Sequence, residues 1–174
     1  MTDASVDQQA EPVGEYLLRE LKWIHGAIRN DLAVCRQLAA RVAAGLPAED
    51  ARAQIQGLQT NGPLWKLRTN CLYYCQFVHH HHRLEDTAFF PMLRRSNTAL
   101  GPVVDKLEAD HRKVSGLLDE IEAGANALAA LDSGPARERL VFGLGALAAE
   151  LLAHLDYEEK SIGPTLTTWT EWPA

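Results

Sequence analysis

Two stretches of the chain repeat one grammar. His81-x-x-x-Glu85 sits inside VHHHHRLEDTAFFP (78–91), and His154-x-x-x-Glu158 opens HLDYEEKSIGP (154–164). Four residues are about one helical turn, so each histidine and its glutamate share a helix face and can reach one point in space. Offsets of three, four and seven residues define what else shares each histidine's face. His25 shares its face with Leu18, Leu21, Ile28 and Leu32, and His111 shares its face with Val104, Leu107, Val114 and Leu118. His81 lies with Tyr74, Phe77, Val78, Leu84, Ala88 and Met92, whereas His154 lies on a more mixed face with Leu147, Glu150, Leu151 and Tyr157. Buried carboxylates are costly unless paired or metal-bound. Two of them beside four inward imidazoles make a poor apolar core and a good metal site. The expected ligands are therefore His25, His81, Glu85, His111, His154 and Glu158, arranged as a dinuclear centre in which the glutamates bridge.

Donors of this kind, without thiolate, favour iron, manganese or zinc. Zinc prefers a closed set of four ligands. Six ligands shared between two ions leave open positions, which suits iron or manganese with a small exogenous ligand such as O2, peroxide or a hydroxo group. Further candidates surround the six. His82 sits one step round the helix at the edge of the core; Glu108 precedes His111 by three residues, as a ligand, an orienting acceptor or a solvated carboxylate. Tyr74 lies two turns before His81, where its hydroxyl could face a bound oxygen species or simply pack. His79 and His80 are read as surface residues, Glu150 as solvated or orienting, and Asp86 and Glu159 as salt-bridging or surface residues. No residue is assigned a catalytic role.

The elements that must carry these residues are helices. Alanine, leucine, glutamate and arginine dominate, helical spacing recurs throughout, and strand-like alternation does not. A first helix is expected from Pro12 to about Ala44, ended by Gly45-Leu46-Pro47, and a second helical stretch from near Ala48, interrupted at Thr60–Pro63 and running to about Arg95. A third spans about Val103 to Leu131, and a fourth runs from Pro135 to about Ser161, closed by Ile162-Gly163-Pro164. Four long helices with short connections predict an all-α, antiparallel up-down-up-down four-helix bundle over residues 12–166. Residues 1–11 read as a disordered polar tail. Residues 167–174 read as a C-terminal tail whose two tryptophans pack back on the bundle.

At 174 residues, 47% hydrophobic and 23% charged, the chain has the profile of one globular domain. Its formal charge of −6 argues against a nucleic-acid binder, which needs a basic surface. No signal peptide is expected, and no run approaches the roughly 20 apolar residues of a membrane span. Cys71 and Cys75 are four apart, not in a CxxC, and with Cys35 read as buried thiols of a reducing cytoplasm.

The chain resembles the haemerythrin-like, or HHE cation-binding, domain. The resemblance rests on the histidine of the first helix, then HHHHRLEDTAFFP, LEADH and HLDYEEKSIGP, and it extends from about Tyr16 to Leu166. It implies a four-helix bundle around a non-haem di-iron centre, two iron ions with an oxo or hydroxo bridge ahead of manganese or zinc, and carried over position by position it makes ligands of the same six residues. One departure matters. Oxygen carriers of the family place a fifth histidine one turn after the third-helix ligand, and here that position is Ser115. They also use a longer spacing to aspartate on the fourth helix, where this chain has His-x-x-x-Glu. Fewer imidazoles point away from reversible O2 carriage and towards chemistry with small oxidants: O2, hydrogen peroxide or nitric oxide. The expected function is peroxide decomposition or oxidative chemistry at the centre; the alternative is a sensor or store of O2, NO or iron without turnover. His82, Glu108 and Tyr74 each remain open as occupants of the missing position, and the reading leaves room for a homodimer.

Overall fold

The computed structural model describes residues 11–44, 63–130 and 133–173. The expected polar tail over 1–10, the helical start near Ala48, the Thr60–Asn61 break and the side chain of Cys71 lie outside the described residues. Helix α1 spans Val13–Ala43, α2 Pro63–Leu84, α3 Phe90–Ser96, α4 Gly101–Ala130 and α5 Gly134–Leu166. A single π-helical turn, Glu85–Phe89, joins α2 to α3, so the two run on as one rod. No strand occurs among the described residues. Four long helical rods pack in a closed ring of neighbours: α1 on α2 and α5, and α4 on the same two.

Local chemistry sets most boundaries. The Ser133 side chain accepts from the Ala136 backbone N–H, with Pro135 in the first turn, a capped start for α5. Asn97, in extended backbone, ends α3; its side chain accepts from Ala99 N–H at 3.1 Å and caps a short 3-10 turn, Thr98–Leu100. Arg94 then reaches Asp105 at 2.7 Å and Glu108 at 3.2 Å, tying α3 to the first turns of α4.

Three expectations change. The π turn shifts the register of the second rod: Phe90 and Leu93 are buried, whereas Phe89 and Met92 are only partly so. The Phe90 N–H bonds to the Glu85 carbonyl, five residues back, and Pro91 has no N–H with which to continue the ordinary ladder. Helix α5 does not stop at Ile162-Gly163-Pro164 but continues to Leu166. Pro164 gives up one ladder bond in the last turn, while Ile162, Gly163 and Leu166 are buried and hold that turn in place. Of the two tail tryptophans, Trp169 packs into the core, and Trp172 is 57% exposed.

Helix α5 is long and apolar enough, by length and composition alone, to cross a membrane. Its apolar residues Leu140, Leu144, Leu147, Leu151 and Leu155 nevertheless face the interior, and the same helix buries His154 and Glu158. That is the profile of a core helix in a bundle.

The core falls into two apolar clusters. The larger contains Ile28, Leu32, Cys35, Tyr74, Val78, Val114, Leu118, Leu147 and Leu151; the smaller contains Leu21, Phe90, Leu93, Val104, Leu107, Ile162, Leu166 and Trp169. At the end of the smaller cluster, the start of α1 meets the end of α5. Gly14 N–H donates to the Trp169 carbonyl at 2.9 Å, and a Cβ at Gly14 would fall 1.7 Å from the Leu166 carbonyl oxygen. Only glycine permits that approach.

Candidate metal centre

Between the two apolar clusters lies a polar layer. His25, His81, His82, Glu85, His111, His154 and Glu158 are all buried, none more than 7% exposed. One turn to one side, Ile28, Val78, Val114 and Leu151 close the layer, and all four are fully or almost fully buried. The helical periodicity that places those aliphatics inward also places the histidines three residues away inward.

The donors fall into two groups. His25, His81 and Glu85 bring ligand atoms within 4.8 Å of one another, and so do His82, His111 and His154. Both carboxylates span the groups. Glu85 Oε1 lies 3.3 Å from His81 Nε2 in the first group, and its Oε2 lies 3.5 Å from His111 Nε2 in the second. Glu158 Oε2 stands 3.5 Å from His25 Nε2 and 3.6 Å from His154 Nε2. The two Nε2 atoms of His111 and His154 are 3.1 Å apart, close to the separation of neighbouring donors on one ion with metal–nitrogen bonds of roughly 2.1 Å.

All six sequence-predicted ligands are therefore brought together, and His82 joins them. Its ring stacks on His111 with centroids 3.9 Å apart and planes 12° from parallel. Phe90, carried inward by the π turn, also lies near-parallel to His111 at 5.2 Å. Glu108 is in neither donor group and faces Arg94. Tyr74 is fully buried in the larger apolar cluster, its hydroxyl without a hydrogen-bond partner, and burial raises its pKa. Ser115 Oγ is 3.4 Å from His79 Nδ1, and His79 Nε2 is 3.3 Å from Asp119. His79 is half-buried and His80 exposed. Glu150 pairs with Lys113 at 2.6 Å, away from the donors. Cys35 and Cys75 are buried in the larger apolar cluster; burial pushes Cys75 up to about 12, which makes it an inert thiol.

Asp86 and Glu159, expected from the sequence to be salt-bridging or surface residues, each hold a histidine of the donor layer. His25 Nδ1 is 2.8 Å from Glu159 Oε1, and His111 Nδ1 is 2.7 Å from Asp86 Oδ1. Asp110 approaches His154 Nδ1 to 3.7 Å, beyond hydrogen-bond length. A carboxylate accepts only, so Nδ1 of His25 and of His111 carries the proton and Nε2 presents its lone pair to the centre. The one available signal in the sequence was positional: each holding carboxylate immediately follows a glutamate of the repeated motif.

Electrostatics agree with that protonation. Burial lowers His25 and His81 to about 3, His111 to about 2 and His154 to about 4, and takes His82 well down. Neutral imidazoles are ligand-ready. Burial pushes Glu158 up to about 8, and Glu85 is raised by burial first and by the neighbouring Glu158 second. A cation between them relieves both penalties. The same need shows in the buried polar atoms without a hydrogen-bond partner: Nε2 of His25, His81 and His82, and both carboxylate oxygens of Glu85 and Glu158. Among the described residues only two other buried side-chain atoms are in that state, the Tyr74 hydroxyl and His154 Nδ1; native interiors seldom leave so many unsatisfied atoms side by side, and these seven are donors of metal-ligand type.

A helical bundle that gathers imidazoles and glutamates from facing helices into one buried layer has the architecture of a bundle-core metal protein. This chain belongs to the haemerythrin family: the model described as "Hemerythrin HHE cation binding domain" matches residues 17–166. That interval holds all seven buried donors. No curated protein matches the chain significantly.

Proposed function

We propose that the chain is a non-haem di-iron protein that reacts with small oxidants, hydrogen peroxide foremost and O2 next. The antiparallel up-down-up-down bundle expected from the sequence supplies the frame. The observation that carries the reading is the pair of carboxylates, each within 3.6 Å of imidazoles from both donor groups. Shared carboxylates and separate imidazoles are what two adjacent ions need. In this reading His25 and His81 serve one ion, His82, His111 and His154 the other, and Glu85 and Glu158 both. Two irons held there would supply a two-electron couple, sufficient to reduce a peroxide or oxidise it to O2 without releasing a radical.

The chain's own residues do the rest. Asp86 and Glu159 hold the tautomers that face Nε2 inward. Ile28, Val78, Val114 and Leu151 keep one side of the layer apolar, which restricts bulk water and favours a small, uncharged oxidant. The unequal imidazole count, two against three, supports exogenous ligand binding on the side of His25 and His81. The alternative of a sensor or store without turnover separates from this reading by experiment. Iron content per chain and O2 release from added peroxide are the measurements. Two irons with catalytic turnover, both lost in His81→Ala and Glu85→Ala but kept in His79→Ala, are expected. Two irons without turnover favour the sensor or store, and equal metal loss from all three variants overturns the ligand assignment.

A further inference from the structure

Consecutive helical residues are turned by about 100° around the axis. A glutamate aimed into the bundle therefore leaves the next residue aimed along the seam with a neighbouring helix. Glu158 faces the donors, and Glu159 faces α1. There Glu159 Oε1 accepts from His25 Nδ1 at 2.8 Å and from Arg29 Nη1 at 2.9 Å, while Arg29 Nη2 binds Asp156 at 2.7 Å. Glu85 faces the donors, and Asp86 faces α4, where its Oδ1 accepts from His111 Nδ1 at 2.7 Å. The two holding carboxylates serve different donor groups. His25 belongs with His81 and Glu85, and His111 belongs with His82 and His154.

We propose that Glu159 and Asp86 are positioning residues with separate charges: Glu159 governs the affinity of the His25 half of the centre, and Asp86 governs that of the His111 half. The inference rests on the two-ion reading above and adds to it which residue controls which ion. The physical basis is the ring's second nitrogen. An imidazole held at Nδ1 keeps one tautomer and one orientation, so its Nε2 lone pair stays on the ion; released, it can tautomerise and turn. The two anchors also differ. Glu159 is 21% exposed and clamped by Arg29 against Asp156, whereas Asp86 is 40% exposed. The half with two imidazoles has the sheltered anchor, and the half with three has the open one.

Cobalt(II) titration of the metal-free full-length chain, followed by its visible ligand-field bands, tests this. Wild type takes up two ions. Glu159→Ala weakens one of them by roughly 10- to 100-fold, the range for loss of an outer hydrogen-bond partner, and leaves the other unchanged. Asp86→Ala weakens the opposite ion, so the ion retained in each variant gives a different spectrum, one with more imidazole donors than the other. Glu159→Gln and Asp86→Asn, whose amide oxygens still accept from Nδ1–H, fall between alanine and wild type; they also serve if an alanine variant does not fold. Thermal unfolding of the metal-free variants stays near wild type, a result that separates positioning from a general structural role. Loss of the same ion in both variants, equal weakening of both ions, or no weakening at all overturns the proposal. Wild type binding fewer than two ions overturns the two-ion reading itself.

Discussion

His81 and His82 are neighbours in sequence yet reach different donor groups, because the helix turns by about 100° between them. Helical spacing alone separates the inward His81 from His79 and His80, and it turns His25, Glu85, His111, His154 and Glu158 inward, where they are buried. It left His82 at the edge, since periodicity gives direction but not how wide the polar layer is. Where oxygen carriers place a helical histidine, Ser115 turns to His79, and His82 brings a fifth buried imidazole to the polar layer from another helix. Asp86 and Glu159 were illegible for a different reason: an acid one step beyond a core position looks the same whether it meets solvent or a histidine across a seam. The residues also set a pH dependence for the metal-free chain. Between about 4.5 and 6.5, the unfolded chain protonates five imidazoles that the fold keeps neutral, while the fold protonates two carboxyls that the unfolded chain leaves charged. Unfolding takes up protons there, so stability rises with pH. Above that window the imidazoles contribute no further change, and the protonated Glu158, with its value about 8, favours the fold less as pH climbs. Metal-free protein should therefore be most stable near pH ~6.5, as urea unfolding followed by circular dichroism across pH 4 to 9 would report. A steady rise in stability to pH 9 would contradict the raised carboxyls.

At the scale of the elements, the helix count and most boundaries followed from caps, prolines and periodicity, whereas register did not. The reading of the second rod as uniform α-helix put Ala88 and Met92 on the His81 face. One π turn adds a residue, and the face passes to Phe90 and Leu93. Nothing in EDTAF announces a widened turn except the proline that follows it. The proline in α5 misled in the opposite sense, because packing of Ile162 and Leu166 outweighs one missing ladder bond. The contact between helix ends is similarly tertiary. Gly14 sits in ordinary helix, and only the Leu166 carbonyl across from it makes a side chain impossible. Gly14→Ala should destabilise the chain by roughly 1–3 kcal/mol, the usual range for overpacking, despite alanine's better helix propensity. Gly26→Ala, where a Cβ meets nothing within 4 Å, is the control and should be neutral or stabilising. Chemical denaturation of both variants measures the contrast, and equal effects would show that the Gly14 approach does not matter.

Across the whole molecule, the polar layer divides one core into two, and the division makes a metal centre legible in the pattern of inward polar residues. Two apolar clusters would be more stable joined. A seam of imidazoles and carboxylates between them makes sense only if something charged completes it. The hydrogen bond from Gly14 N–H to the Trp169 carbonyl has a further consequence for how the chain is threaded. Positions 14 and 169 touch, so the path through the bundle is very nearly a closed circuit. In such a circuit the order in which the helices are synthesised is separable from the order in which they pack. A circular permutant that joins residue 12 to residue 170 through a short linker, and opens between residues 130 and 133, should fold and load the same number of irons per chain as the parent. Helical content and elemental analysis would check it, and failure to fold would mean that the chain order itself guides assembly of the layer.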